Sequence, residues 1–535
     1  MRCWILMVVL GPTTAQLVTG VEITVHATDA ILDHFEGVGF HASHPLHWTT
    51  KEHFEQVLAK RWRELAPSFA RVNHRWAQRR PVQSDRQALE ALARHLVFMK
   101  ENTGTVVYLT TFGMGETEPG EERRRYAQAV ANDLEFLLKA GATNLRYYCV
   151  TNELSLTAWA SLRNDLATFR DYHQEIFAEL RKRNLPVLLL ATDASPIRYW
   201  STLEWAAEHM DEITGVYGGH HYIESDDPGD LEFYDYFYKQ CLWAVQLARS
   251  KGKDFILGEF GSRQYHDRRW GIRWDTCLHY GTQREPQAAL QVCEAALAAI
   301  NAGVCAMAYW TFTDYPDEPG LARINQWGVF KWLTNGCETR APYYAYGLLT
   351  KFFRGPATVV RVEVNDALVR ASAVRNNETG QWSVAIINRR TSAIPLWLRW
   401  NGSAPVRPFR KYVFEVAAPP RTDDGDLQEP LGKVGFADGV LVDTLPANSL
   451  VVYTTAYDEE PPPAVEGLKV EPVAGGRRLS WLPSPATDLC YYRIYHNNLR
   501  IGSTITTEFL DTGPTRNQPG RYRVVAVDTS GNAGP

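Results

Sequence analysis

Between about residue 30 and residue 350, short β-rich runs alternate with amphipathic helical stretches, the pattern of a parallel sheet assembled from βα units. Eight units can be counted. The strand candidates are FEGVGF (35–40), SFARV (68–72), TVVYLT (105–110), NLRYYCV (144–150), PVLLLA (186–191), ITGVYGG (213–219), DFILG (254–258) and GVCAMAYW (303–310). The helix expected over 121–140 shows the logic. Tyr126, Val130, Leu134, Leu137 and Leu138 recur at helical spacing, and Gly141 supplies the left-handed stop. Eight units in one stretch favour a closed barrel over an open sheet, which directs the search for chemistry to the C-terminal strand ends.

After residue 350 the helical period disappears. Alternating runs (TVVRVEV, ALVRASAV, WSVAIINR, PLWLRW, KYVFEV, SLVVYTT) predict an antiparallel sandwich over 351–456. A Pro-rich linker (457–466) follows, and its three consecutive prolines read as a stiff extended spacer. The last block, 467–535, has seven-strand spacing, and Trp481 with the YYRIY and YRVVAVD runs resembles a fibronectin type III module. The fold class expected is therefore α/β: a (β/α)8 TIM barrel over 21–350, an antiparallel β-sandwich, then a fibronectin type III-like β-sandwich. VEITVHAT (21–28) is a candidate to pair with the first sandwich.

Composition excludes some partners. With 22% charged residues and a formal net charge of −5, nothing suggests a nucleic-acid groove or an anionic membrane surface. The 17 Trp, 25 Tyr and 21 Phe exceed what a barrel core needs, and flat rings lining a cleft would suit a sugar. Arg2, the apolar run from Cys3 to Leu10 and the small residues to Ala15 read as a secretory signal (1–20), so a secreted, periplasmic or cell-surface location is expected, with no membrane span. None of the eight cysteines has zinc-site spacing. Cys149 and Cys305 read as inert core thiols, and an exported chain leaves open a bridge among Cys241, Cys277, Cys293 and Cys337.

Two carboxylates stand at strand ends, Glu153 in CVTNE after the fourth strand and Glu259 in ILGEFG at the seventh. An acid directly after an apolar strand is costly to bury unless it is paired or functional. Retaining glycoside hydrolysis needs two such groups about 5 to 5.5 Å apart, and strands four and seven face each other across a barrel mouth. TNE after strand four with GEFG after strand seven resembles clan A of the glycoside hydrolases over about residues 30 to 350.

That resemblance implies Glu153 as general acid/base and Glu259 as nucleophile. It implies Arg71 (FARVN) and Tyr222 (HHYIES) as partners of the nucleophile, His220 as the histidine of an HxY pattern, Asn152 as ligand of the sugar 2-hydroxyl and Trp310 as an aromatic platform. It implies no cofactor and no metal, with a carbohydrate as partner. Glu259 beside Arg71 is expected to have a low pKa, and Glu153, with no evident cation nearby, to carry the proton. Asp193 and Asp314 are further strand-end acids outside the clan pattern. His41 and His44 lack the zinc arrangement of barrel hydrolases. The GEFG and HxY strings are similar to family 5, whereas FEGVGFHAS and the following sandwich are similar to families 30 and 39. A transglycosylase would use the same site, and a binding or adhesion protein on a decayed barrel is the reading from another class.

Overall fold

The computed structural model describes residues 20–42, 49–75, 86–112, 120–154, 165–223, 227, 229–262, 279–316, 323–422 and 424–535. The N-terminal run read as a signal, His44, Cys277 and most of the long connection after strand seven lie outside the described residues.

Eight strands close on themselves: β1 (Val21–His41), β2 (Phe69–Arg75), β3 (Val106–Phe112), β4 (Leu145–Cys149), β5 (Leu188–Ala194), β6 (Val216–Ile223), β7 (Phe255–Ser262) and β8 (Ala306–Tyr309). Each pairs in parallel with the next, and Gly37–Phe40 of β1 pairs with Ala306–Tyr309 of β8 to complete the ring. Inward side chains fill the ring: Phe69, Tyr108, Tyr147, Cys149, Leu190, Val216, Ile256, Ala306 and Ala308. The barrel is thus a packed core, with its working surface at one end.

The helices follow in order: α1 (Lys51–His53), continuing through a π-helical turn (Phe54–Leu58) into α2 (Ala59–Leu65), then α3 (Arg86–Thr103), α4 (Glu121–Lys139), α5 (Leu166–Lys182), α6 (Ser201–His209), α7 (Phe233–Ser250), α8 (Glu285–Ala302) and α9 (Ala341–Phe352). In α4 the expected face is buried through Tyr126, Val130, Leu134 and Leu137, and Gly141 adopts φ 101° just past the end. Helix α8 is buried nearly all round because it lies between barrel and sandwich. Its Glu294 is held there by Arg389, 2.6 Å away, and Arg370, 3.4 Å away.

Strand β1 serves two bodies. Its first residues run parallel to Ile394–Asn401 and antiparallel to Arg354–Val364, so Val21, Ile23 and Val25 enter the sandwich core beside Ile386 and Leu396. Burying each contributes roughly 1.5–3 kcal/mol. Downstream, Gly37 (φ +113°) passes so close to Ser68 that a Cβ would lie 1.8 Å from its hydroxyl, and there the strand turns into the barrel. Among the described residues eight strands form over 354–454. Gly432–Val434 and Val440–Leu445 come in addition to the six expected, their signal masked by Gly432, Gly435 and Gly439.

The last block makes six strands rather than seven, in two sheets of three, around Trp481, Tyr492 and Ile494. The Pro-rich segment before it carries no helix or strand. The block folds back onto the barrel: Ile505 N–H donates to the Glu55 carbonyl (3.3 Å), and Arg63 Nη1 donates to the Cys490 carbonyl (3.2 Å). At the same junction the buried Asp426 carboxylate lies 2.5 Å from both Lys60 Nζ and Arg500 Nη1. Lys60 is 1% exposed, so removing Asp426 leaves its buried ammonium with Glu64 Oε2, at 2.9 Å, and the Gly425 carbonyl, at 3.2 Å, as partners. Asp426→Ala is expected to cost about 1–3 kcal/mol, the loss of charged hydrogen bonds at a partly compensated cluster, and to open the junction to protease. An unchanged denaturation midpoint would contradict this.

Among the described residues no helix is long and apolar enough to cross a membrane. Cys241, Cys293 and Cys337 are free thiols, as are Cys149, Cys305 and Cys490, so the bridge left open by the sequence does not form among the described cysteines.

Candidate active site

The site is built on one buried guanidinium. Arg71, on β2, is fully buried at the mouth of the barrel. Its Nη1 donates to Glu259 Oε2 at 2.7 Å and lies 3.2 Å from His41 Nδ1. Its Nη2 donates to Asn152 Oδ1 at 2.5 Å and lies 3.1 Å from Asp193 Oδ2. One side chain thereby ties together β1, β2, the turn after β4, β5 and β7. The planar fork of arginine suits this, because it can serve several acceptors in fixed directions. The Tyr222 hydroxyl donates to the other oxygen of Glu259, so both carboxylate oxygens accept a hydrogen bond.

Glu259 lies within β7, not after it as the sequence suggested, because that strand continues to Ser262. A β-bulge explains why the side chain still faces the mouth. Gly219 pairs with Leu257 and His220 with Glu259, leaving Gly258 as an extra residue. Glycine is needed there by close packing: a Cβ would come within 3.0 Å of Tyr108 Cε1 and 3.1 Å of His220 Nε2. A second bulge lies in β5, where Thr192 pairs with Gly218 and Ala194 with Gly219. The extra residue is Asp193, at φ +59°. Glu153, four residues past the end of β4, also has a left-handed φ of +51°. Such conformations cost on the order of 1–3 kcal/mol each and persist where surroundings hold them. Here the holding contact is mutual, since the Glu153 N–H donates to Asp193 Oδ2 at 3.3 Å.

Asp193 is the residue that sequence reasoning set aside and the structure brings in. Its Oδ1 accepts from the Tyr108 hydroxyl at 2.6 Å and lies 2.7 Å from His220 Nε2. On the other side of the ring, His220 Nδ1 lies 3.4 Å from Glu153 Oε1. Glu153 therefore does have a cationic neighbour, contrary to the expectation from sequence order. His221 points away and stacks on Phe237 of α7 at 5.6 Å. Asp314 is also outside the site, clamped by both Nη atoms of Arg340 at 2.7 and 2.8 Å. His41 belongs to it as a neighbour of Arg71 and of Trp310, whose ring centroid is 4.2 Å away. Trp310 is half-buried and packs with Tyr280 and Trp327 into an aromatic wall.

The charges are set by burial and by the cluster itself. Burial raises the Glu259 carboxyl above the ordinary glutamate value, and Arg71, His220 and the Tyr222 hydroxyl pull the other way without cancelling it. The low value expected for Glu259 is thus corrected by desolvation that sequence order does not reveal. Burial opposes ionisation of Asp193 too, yet His220 and Arg71 hold it well below the usual carboxylate range. For His220, burial favours the neutral ring, and Asp193 outweighs it to push the value up to about 9.

One donor atom each from Glu153, His220 and Glu259 lies within 4.8 Å of the other two. A cation could span that spacing, but it would meet the guanidinium at Glu259 and a protonated imidazole, so the arrangement does not suit a metal. The same distance sets the two carboxylates facing each other across a gap suited to one reacting atom.

By sequence the chain matches no protein-family model and no curated protein. Its fold does have likenesses among solved structures. It is similar to a glycoside hydrolase family 30 subfamily 8 xylanase, Xyn30A, from Clostridium acetobutylicum (TM-score 0.56, 14% identity, 81% of this chain and 99% of that one). It is also similar to the family 51 α-L-arabinofuranosidase AbfB from Bifidobacterium longum (0.60, 12%, 82% and 99%). A third likeness is the GH51 arabinofuranosidase from Xanthomonas axonopodis pv. citri (0.57, 14%, 81% and 99%). At these identities the likeness is one of fold.

Proposed function

We propose that the protein is a retaining glycoside hydrolase acting outside the cell on a polysaccharide or oligosaccharide, with Glu259 as nucleophile and Glu153 as general acid/base. The observation that carries this reading is the pair itself, with carboxylate oxygens within 4.8 Å and Glu259 bonded to the guanidinium and the phenol. In the first half-reaction Glu259 attacks the anomeric carbon while Glu153 gives its proton to the departing oxygen, whose bond to that carbon breaks. In the second, Glu153 takes a proton from water, water oxygen bonds to the anomeric carbon, and Glu259 leaves as carboxylate. The low pKa first expected of Glu259 is not required. Arg71 and Tyr222 need only keep it ionised while Glu153 holds the proton.

Asn152 is assigned to the sugar 2-hydroxyl and Trp310 to the face of the ring at the cleaved bond. Residues 467–535 are read as a fibronectin type III-like module anchored to the barrel. Because the structural likenesses include xylanases and arabinofuranosidases, aryl β-xylosides and aryl α-L-arabinofuranosides are the first substrates to try. The test is a panel of aryl glycosides and plant or microbial polysaccharides, with product length and anomeric configuration recorded. Hydrolysis with retention is expected. Inversion, or no turnover of any member, would contradict the reading.

A further inference from the structure

Asp193 lies in the mouth of the barrel without touching the gap between the two glutamates, and no step of the proposed reaction uses it. It is nonetheless the most thoroughly held carboxylate of the site, fully buried on the bulge of β5, with Tyr108 on one oxygen and Arg71 on the other. It also neighbours the imidazole of His220, which in turn reaches Glu153. The backbone of Asp193 and that of Glu153 are both left-handed and joined by the Glu153 N–H. Strands β5 and β6 and the turn after β4 thus place an acid, an imidazole and a second acid in succession.

We infer that Asp193 is a positioning residue which, through His220, keeps a positive charge against Glu153 throughout the reaction. The inference rests on the acid/base role proposed for Glu153. When Glu153 gives up its proton to the leaving oxygen, it becomes a buried carboxylate, and a nearby imidazolium stabilises that state as it forms. The imidazole keeps its own proton. It changes the energy of the transfer, not its stoichiometry. The value of about 9 for His220 agrees with a ring that stays charged at neutral pH.

The groups facing His220 are few. Asp193 comes from β5, Glu153 from the turn after β4, Glu259 from β7 and Arg71 from β2, while Tyr222 lies on its own strand. Tyr108 of β3 and the Cys149 thiol of β4 act on Asp193, and burial pushes that thiol up to about 12. Trp200 donates its indole N–H to the His220 carbonyl at 3.2 Å and fixes the backbone there. Asp193 is the close anion on Nε2, so neutralising it should discharge the ring.

The test compares the parent with Asp193→Asn, His220→Gln and the double variant. In protein labelled with ¹⁵N-histidine, the His220 signal is assigned by its loss in His220→Gln. Its titration is expected to fall by about two pH units in Asp193→Asn. Aryl glycosides with poor leaving groups, which need protonation, should lose about ten-fold more kcat/KM than dinitrophenyl glycosides, which do not. The double variant should lose no more than the worse single one. An unmoved His220 titration would overturn the inference, as would an equal loss across all leaving groups, the signature of a merely structural role. A parent that cleaves no glycoside would overturn the proposed function itself, whereas an active parent with an unmoved titration overturns this inference alone.

Discussion

Glu259→Ala is expected to lose about four orders of magnitude or more in kcat, because the covalent half of the reaction then has no nucleophile. The size follows from its role, not from its contribution to the fold. Its carboxyl is raised in pKa by burial, so its removal relieves a desolvation cost while Arg71 keeps Asp193 and Asn152 as partners. The variant should therefore fold about as stably as the parent. Added azide should restore turnover of an activated aryl glycoside and give a glycosyl azide of inverted configuration, since the small anion enters where the carboxylate stood. Parent-like hydrolysis by Glu259→Ala would remove Glu259 from the mechanism.

Arg71→Ala is expected to damage both stability and activity. It leaves Glu259 and Asp193 buried without the guanidinium that both share, and uncompensated buried charge costs about 3–5 kcal/mol. Arg71→Lys separates the two effects. An ammonium restores the charge but cannot fork toward Glu259, Asn152 and Asp193 together. The lysine variant should melt between the parent and the alanine variant, and still lose on the order of 10²-fold or more in kcat/KM, because Glu259 and Asn152 are no longer held in register. Thermal denaturation and kinetics on one substrate decide the matter. An alanine variant as stable as the parent would show that the carboxylates are paired elsewhere.

The barrel was legible because strand and helix periods differ and their alternation persists over eight units. The pairing of Val21–His26 with the sandwich could be anticipated from an alternating run standing before the first barrel strand. Strand ends were less legible. Bulges at Asp193 and Gly258 break the two-residue alternation, so a reading that relies on it ends β5 and β7 too early. The local signal was present all the same, in a glycine directly before Glu259 and in an aspartate at the end of an apolar strand. Asp193 was passed over because it fits no clan position, and its role depends on Tyr108 and His220, far from it in sequence. Apart from Arg71 with Glu259, the long-range ion pairs were not legible. Lys60, Asp426 and Arg500 meet only after three parts of the chain have folded. The direction of the Glu259 shift was missed for a related reason: sequence order names a cation nearby but not the depth of burial.

The central claim is that Glu259 forms a covalent bond to the sugar while Glu153 handles the proton. It is tested most directly by incubating the protein with the 2-deoxy-2-fluoro analogue of whichever aryl glycoside it cleaves, then locating the label by peptide mass spectrometry. The account predicts one added sugar, on the peptide and residue carrying Glu259, with activity lost in proportion. A label on another residue, or rapid inverting turnover with none, would contradict it.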